Sequence, residues 1–229
     1  MSHIADNIRE IKEIIKSAEQ RSEGRSSDVL LVAVTKTRSA EEINRAIEAG
    51  ITDIGENRVQ EITEKHDKVA PVRWHMIGHL QSNKVKDLFK VHNLTAIHSV
   101  DSFSLIESLL KYQDRLTHQV DIFLQFNTSG EEEKSGFEKA TDLDQACELL
   151  KNSQVLKVAG LMTMGALRVE DQLKSALACF KELARIRDEL SQKLKLPLAL
   201  SMGMSQDYRL ALSCGSNWLR LGTMMFELH

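Results

Sequence analysis

A chain of 229 residues, 42% hydrophobic and 28% charged, has the make-up of an ordinary soluble globular domain. Its net charge of -3 leaves no excess of lysine and arginine, which argues against a nucleic-acid surface, and no apolar run approaches the ~20 residues a membrane span needs. The cysteines Cys147, Cys179 and Cys214 are widely spread with no CxxC pair, so neither a disulfide framework nor a zinc site is suggested, and a reducing cytoplasm fits.

The N-terminal segment, residues 1–21, carries Ile4, Ile8, Ile11 and Ile15 at helical spacing among charged residues. This predicts an amphipathic helix, not a signal peptide, whose apolar stretch would be continuous. The first apolar run, residues 29–34, passes through Thr35 to close on Lys36. A lysine at the end of a predicted buried strand is expected to be desolvated. Burial disfavours an ammonium and leaves an amine able to attack a carbonyl, the usual nucleophile toward aldehyde cofactors and keto sugars. The plainer alternative is a stem packed in the core with its ammonium reaching solvent or a carboxylate. Ser39 and Glu42 have capping-box spacing, so a helix begins there. Further apolar runs at 51–54, 72–77, 96–100, 120–126, 155–161, 198–200 and 218–221 bring the predicted strands to eight. Helical periodicity fills the intervals. It is clearest over 171–194, with Leu173, Leu177, Phe180, Leu183, Ile186, Leu190 and Leu194 on one stripe.

Strands alternating with helices imply parallel pairing. Eight such units predict a single (β/α)8 barrel over residues 1–229, with an extra N-terminal helix. The rival, a doubly wound open sheet, is disfavoured because no GxGxxG follows the first strand. With only Pro71 and Pro197, no linker or hinge is marked. Barrel chemistry sits at the carboxyl ends of the strands. There the sequence places Lys36, the run 55–57, His75 to His79, His98 with Asp101, Gln125 with Asn127, Thr163, the run 201–205 and the run 220–223. Ser201, Ser205, Gly222 and Thr223 suit a phosphate held after the last two strands, because small residues let main-chain N–H groups approach an anion. They also suit helix caps and turns. His75 and His79 are four apart, but a strand through His75 would keep them off a common face, so no metal site is expected. The stretch 131–134 reads as a solvated loop, from which Lys134 could reach the rim.

Taken together, several motifs resemble those of the pyridoxal-phosphate homeostasis proteins, a family sharing its barrel with the N-terminal domain of alanine racemase. They are Ala33-Val34-Thr35-Lys36-Thr37, Gly55-Glu56-Asn57, the run 74–84, His98-Ser99-Val100-Asp101, Lys134-Ser135-Gly136, Gly160-Leu161-Met162-Thr163, the run 200–205 and Arg220-Leu221-Gly222-Thr223. The resemblance spans nearly the whole chain and implies a fold type III barrel that binds pyridoxal phosphate. It implies that Lys36 holds the cofactor as a Schiff base, that Arg220 faces the pyridine nitrogen, and that Asn57 lies beside the ring. Ser201, Ser205, Gly222 and Thr223 would then cradle the phosphate. Two stretches depart from the family pattern: Ser-Lys-Thr-Lys-Pro reads Thr35-Lys36-Thr37-Arg38-Ser39, and Arg58 stands where a tyrosine is usual.

The implied role is to buffer cofactor and deliver it to recipient apoenzymes, as a cytoplasmic monomer without catalytic turnover. A cationic Arg220 at the ring nitrogen disfavours ring protonation and weakens the ring as an electron sink. Tyr112 and Tyr208 fall in predicted helices, so neither is placed as a second base. Two alternatives belong to different classes. One is a low-activity amino-acid racemase using the same cofactor; the other is a barrel enzyme that uses Lys36 directly on a sugar phosphate.

Overall fold

The computed structural model describes residues 3–21, 29–131, 135–165 and 171–228. Eight strands close into a barrel in chain order: β1 (Leu30–Val34), β2 (Asp53–Glu56), β3 (Arg73–Met76), β4 (Leu94–Val100), β5 (Val120–Gln125), β6 (Leu156–Met162), β7 (Ala199–Ser201) and β8 (Trp218–Leu221). Every pairing is parallel, and β8 returns to β1 with Leu30 opposite Trp218 and Ala33 opposite Leu221. Each strand lies within two residues of its predicted run. The architecture is the expected (β/α)8 barrel.

The outer layer comprises α1 (His3–Arg21), α2 (Ala40–Glu48), α3 (Val59–Lys65), α4 (Val85–Leu88), α5 (Phe103–Tyr112), α6 (Ala140–Leu150), α7 (Gln172–Leu194), α8 (Tyr208–Ser213) and α9 (Thr223–Phe226). Local chemistry sets the starts. The Ser39 hydroxyl accepts from Glu42 N–H, while Ser39 N–H donates to the Glu42 carboxylate, a complete capping box for α2. Asp171 caps α7 by accepting from Lys174 N–H. Along α7 the stripe Ala176, Cys179, Phe180, Leu183, Ile186 and Leu190 is buried. Leu173 departs from the expected stripe, with 53% of its surface exposed. It sits in the first turn of α7, where the helix borders the mouth of a cavity instead of the outside of the barrel. Ile4, Ile8, Ile11 and Ile15 of α1 are buried as the periodicity requires. This helix also ties down the end of the chain: Asn7 donates to the carbonyls of Met225 (3.3 Å) and Glu227 (2.9 Å).

The barrel interior holds an unusual amount of polar matter. Asp53, 1% exposed, takes two hydrogen bonds from Arg73 and lies 2.9 Å from His75 Nε2. His75 Nδ1 is 3.0 Å from His98 Nε2, and His98 Nδ1 is 2.7 Å from Ser201 Oγ. Strands β4 and β7 are not neighbours, so the last contact crosses the interior. Phe123 and Trp218 pack around the imidazoles, with ring centroids 4.7–5.5 Å apart. Gly160 makes room for this filling. A Cβ there would lie 2.2 Å from the Ala199 carbonyl oxygen and 2.8 Å from the Phe123 ring, so any side chain would push β6 off β7. His98 is therefore an interior residue, although the sequence placed it on the rim.

Cys147, Cys179 and Cys214 are free and buried, and burial pushes the Cys147 thiol up to about 12. Among the described residues no helix is long and apolar enough to cross a membrane.

Burial alone would raise the Asp53 pKa, but hydrogen bonds from His75 and Arg73 outweigh it and hold the carboxyl well below the usual range. A folded value below the unfolded one means that this group's stabilisation is present above about pH 4 and is lost as the pH falls toward the folded value. Asp53→Asn is therefore expected to cost roughly 1.5–3 kcal/mol at neutral pH. Urea titrations repeated at decreasing pH should show the gap between variant and unmutated protein closing below about pH 4.

Candidate functional site

A cavity of about 430 Å³ opens at the carboxyl ends of the strands, where polar and small residues were expected to collect. Six of the seven predicted residues line it: Lys36 after β1, Asn57 after β2, Ser205 after β7, and Arg220, Gly222 and Thr223 at the end of β8. Val34, Ile77, Met164, Leu173, Ala176 and Met204 supply an apolar wall.

Lys36 does not sit as expected. It lies two residues beyond β1 and is exposed, so burial is not what prepares its amine. What fixes it is the turn beneath. Thr37 has φ +64°, a conformation in which a β-branched residue is strained. The turn is held by Arg38 N–H donating to the Thr35 carbonyl and by Thr37 N–H donating to the Glu61 carboxylate. Lys65 lies behind it and donates to the Thr35 carbonyl (2.9 Å), Glu56 (2.7 Å) and Glu61 (3.1 Å). The Thr35 hydroxyl also donates to Glu56. Burial raises the Glu56 pKa, against the opposing effect of Lys65 and Thr35. The sequence reading singled out none of Glu56, Glu61 or Lys65 for this work. The i, i+4 spacing of Glu61 and Lys65 on α3 was the available signal.

Asn57 is placed by a close approach of two loops. A Cβ on Gly78 would lie 2.4 Å from the Asn57 carbonyl oxygen, so only glycine lets the chain after β3 pass against the chain after β2.

Arg220 is 4% exposed, at the inner end of the cavity. It donates through Nη1 to Ser201 Oγ (2.6 Å) and through Nη2 to the Thr163 carbonyl (3.1 Å). Burial pushes its pKa down to about 10, with Asp207 opposing. Among the described residues no carboxylate forms an ion pair with it. A buried guanidinium so placed favours an acceptor in the cavity. Asp207, missed by the sequence reading, also lines the cavity. Burial raises its pKa, although it accepts from Met204 N–H at 2.6 Å.

Ser201 is the one predicted residue that does not line the cavity. It is fully buried, and its hydroxyl is engaged by Arg220 and His98. Ser205 differs. It lines the cavity, and its Oγ accepts weakly from Gly222 N–H and Met224 N–H, both at 3.4 Å, which ties the loop after β7 to the loop after β8.

A larger cleft, about 710 Å³, shares Asn57 and is otherwise lined by residues after β2 and β3, including Arg58, Glu61, Glu64, His79 and Lys84. It touches none of Lys36, Ser205 or Arg220. His79 is exposed and pairs with Asp101, whereas His75 points into the barrel. Among the described residues no cluster of three or more His, Cys, Asp or Glu side chains could hold a metal. Tyr208 lies buried in α8 and Tyr112 at the end of α5; neither lines the cavity. Lys134 lies outside the described residues.

The family model for the alanine racemase N-terminal domain matches residues 1–229. A pyridoxal phosphate homeostasis protein of Schizosaccharomyces pombe is 36% identical over 96% of this chain and 92% of its own. One from Pseudomonas aeruginosa is 36% identical over 99% and 96%. The solved structure of PipY from Synechococcus elongatus with PLP bound is 31% identical and superposes with a TM-score of 0.81, over 98% of this chain and 100% of that one. Alanine racemase from Bacillus anthracis shares the fold alone, at 17% identity and a TM-score of 0.71, over 99% of this chain and 56% of its own. With the whole chain matched and the homeostasis proteins aligned almost end to end, this chain belongs to the alanine racemase N-terminal domain family and, within it, to the pyridoxal phosphate homeostasis proteins.

Proposed function

We propose that the rim cavity holds pyridoxal phosphate and that the protein buffers this cofactor and passes it on, without turnover of its own. The observation that carries the reading is one cavity lined by an accessible lysine, by a buried arginine that has no carboxylate ion-pair partner among the described residues, and by the small polar residues Ser205, Gly222 and Thr223. The names of the relatives, and the cofactor in the PipY structure, support it.

When bound, pyridoxal phosphate supplies an aldehyde and an aromatic ring. Lys36 is then the amine that takes up the aldehyde as a Schiff base, with loss of one water. The turn held by Glu56, Glu61 and Lys65 presents that amine. Ser205, Gly222 and Thr223, which line the cavity, bind the phosphate through their hydroxyl and main-chain donors. Arg220 donates to the ring nitrogen, and Asn57 lies beside the ring. Ser201, spent on Arg220 and His98, is assigned to the support of Arg220 instead of to the phosphate.

The racemase reading has the same cavity but needs a second proton-transfer group, and neither described tyrosine lines the wall. The sugar-phosphate reading needs no cofactor. Absorbance separates it from the others, since a lysine-bound pyridoxal ring absorbs in the visible and a free lysine does not. Borohydride reduction and peptide mapping are expected to place the cofactor on Lys36, and Lys36→Ala to lose the reducible colour while staying folded. Label found mainly on Lys84 or Lys134 sinks the assignment.

Ser205→Ala or Thr223→Ala removes one charge-assisted hydrogen bond, worth roughly 1.5–3 kcal/mol, or about 10- to 150-fold in affinity for pyridoxal phosphate. Pyridoxal without phosphate should bind more weakly and scarcely respond to either change; equal binding of the two aldehydes counts against the cradle.

Incubation with L-alanine in deuterated water is expected to give little deuterium at Cα, while mixing with a recipient apoenzyme restores that enzyme's activity. Rapid exchange that vanishes in Lys36→Ala favours the racemase reading.

A further inference from the structure

The hydrogen-bonded line through the barrel has a fixed direction. Asp53 is ionised and can only accept, so His75 donates to it through Nε2–H. Arg73 already balances the Asp53 charge, so a proton added to the imidazole pair would be a buried, uncompensated cation. Burial and the charge of Arg220 also hold the His98 pKa well below its ordinary value. With both rings neutral, His75 presents a bare Nδ1 and accepts from His98 Nε2–H. His98 then presents a bare Nδ1, so the Ser201 hydroxyl must donate to it. The lone pairs of Ser201 Oγ are left for Arg220 Nη1–H, and an arginine can only donate. With both imidazoles neutral, an acceptor at one end and a donor at the other leave one polarity for every step. Phe123, stacked on His98 at 4.7 Å and 13°, and Trp218, edge-on to His75, restrict both rings.

We propose that Asp53, His75 and His98 are positioning residues for Arg220. They orient the Ser201 hydroxyl so that its lone pairs bind one guanidinium nitrogen, and the Thr163 carbonyl takes another, which turns a donor-only edge toward the cavity. This rests on the reading of the cavity as a pyridoxal phosphate site, and what it adds is how the arginine that faces the ring nitrogen is held in place.

Nitrogen-15 NMR of the full, ligand-free chain tests the proposal without any cofactor. His75 and His98 should both appear as neutral Nε2–H tautomers, and the Nη signals of Arg220 should be resolved by hindered rotation. In His98→Phe and in Ser201→Ala the Arg220 signals should merge while circular dichroism stays native; if the larger change prevents folding, the loss of one hydroxyl in Ser201→Ala carries the test. A second arm compares pyridoxal phosphate with its 1-deaza analogue. The unmutated protein should favour the nitrogen-bearing ring by about tenfold or more, and the variants should discriminate by less than about threefold. Ser201→Ala should weaken pyridoxal and pyridoxal phosphate alike, whereas a phosphate contact would touch only the second. An Nδ1–H or doubly protonated His98 in the unmutated protein, or Arg220 signals still resolved in a folded variant, overturns the proposal. If neither ring compound binds, the cavity reading fails, and the tautomers and guanidinium rotation still decide this inference.

Discussion

A full positive charge inside a barrel has to be surrounded by acceptors, and the interior of this protein is arranged around that demand from Arg220. Its guanidinium finds a hydroxyl and a carbonyl within the protein, and the charge of Asp207 opposes the effect of burial without forming an ion pair with it. Neutral acceptors compensate a buried cation less completely than a carboxylate does. The Ser201 hydroxyl therefore has to be oriented, and the imidazoles behind it are the means. The line ends at Asp53 and Arg73, where Arg73 is half exposed and the cost of a charge pair is eased by solvent. Such a barrel keeps its uncompensated charge at the cavity and its compensated one at the opposite end.

The rim repeats the theme with a different material. Lys36 reaches solvent, so its presentation depends on the backbone beneath it. A threonine at positive φ costs of order 1–3 kcal/mol and persists only when its surroundings over-determine it. Three charged side chains from β2 and α3 supply that constraint, converging on the last carbonyl and amide groups after β1. Holding the peptide and leaving the side chain free gives a lysine that is accessible but located.

Periodicity and caps made the scaffold legible before any coordinates. Eight apolar runs, the capping box at Ser39 and the Asp171 start of α7 all reappear, because each is a local preference that agrees with the global packing. Six of the seven site residues converge, because the carboxyl ends of parallel strands necessarily share one face. The errors share a cause as well. Ser201 reads as a loop donor but is the last residue of β7, and strand alternation turns it inward. Lys36 was expected to be buried by extending an apolar run past its last paired residue. Leu173 carries the right spacing for the stripe but lies in the first turn of α7, at the cavity mouth. His98 and Asp53 look like separate rim and strand residues in the sequence. Only the closed barrel makes them parts of one line.

The joining of β1 to β8 has a kinetic meaning. Lys36 follows the first strand and Arg220 lies on the last, yet the two strands are neighbours through the pairing of Val32 with Arg220. An open sheet of seven or eight strands would hold the same local structure and have neither a complete cavity nor an interior in which His98 could reach Ser201. Closing the ring brings together the most distant segments of the chain, which is entropically the slowest kind of contact to form. Occupancy of the cavity therefore reports on closure and also favours it, because a ligand that binds only the closed ring draws the open forms toward it by mass action.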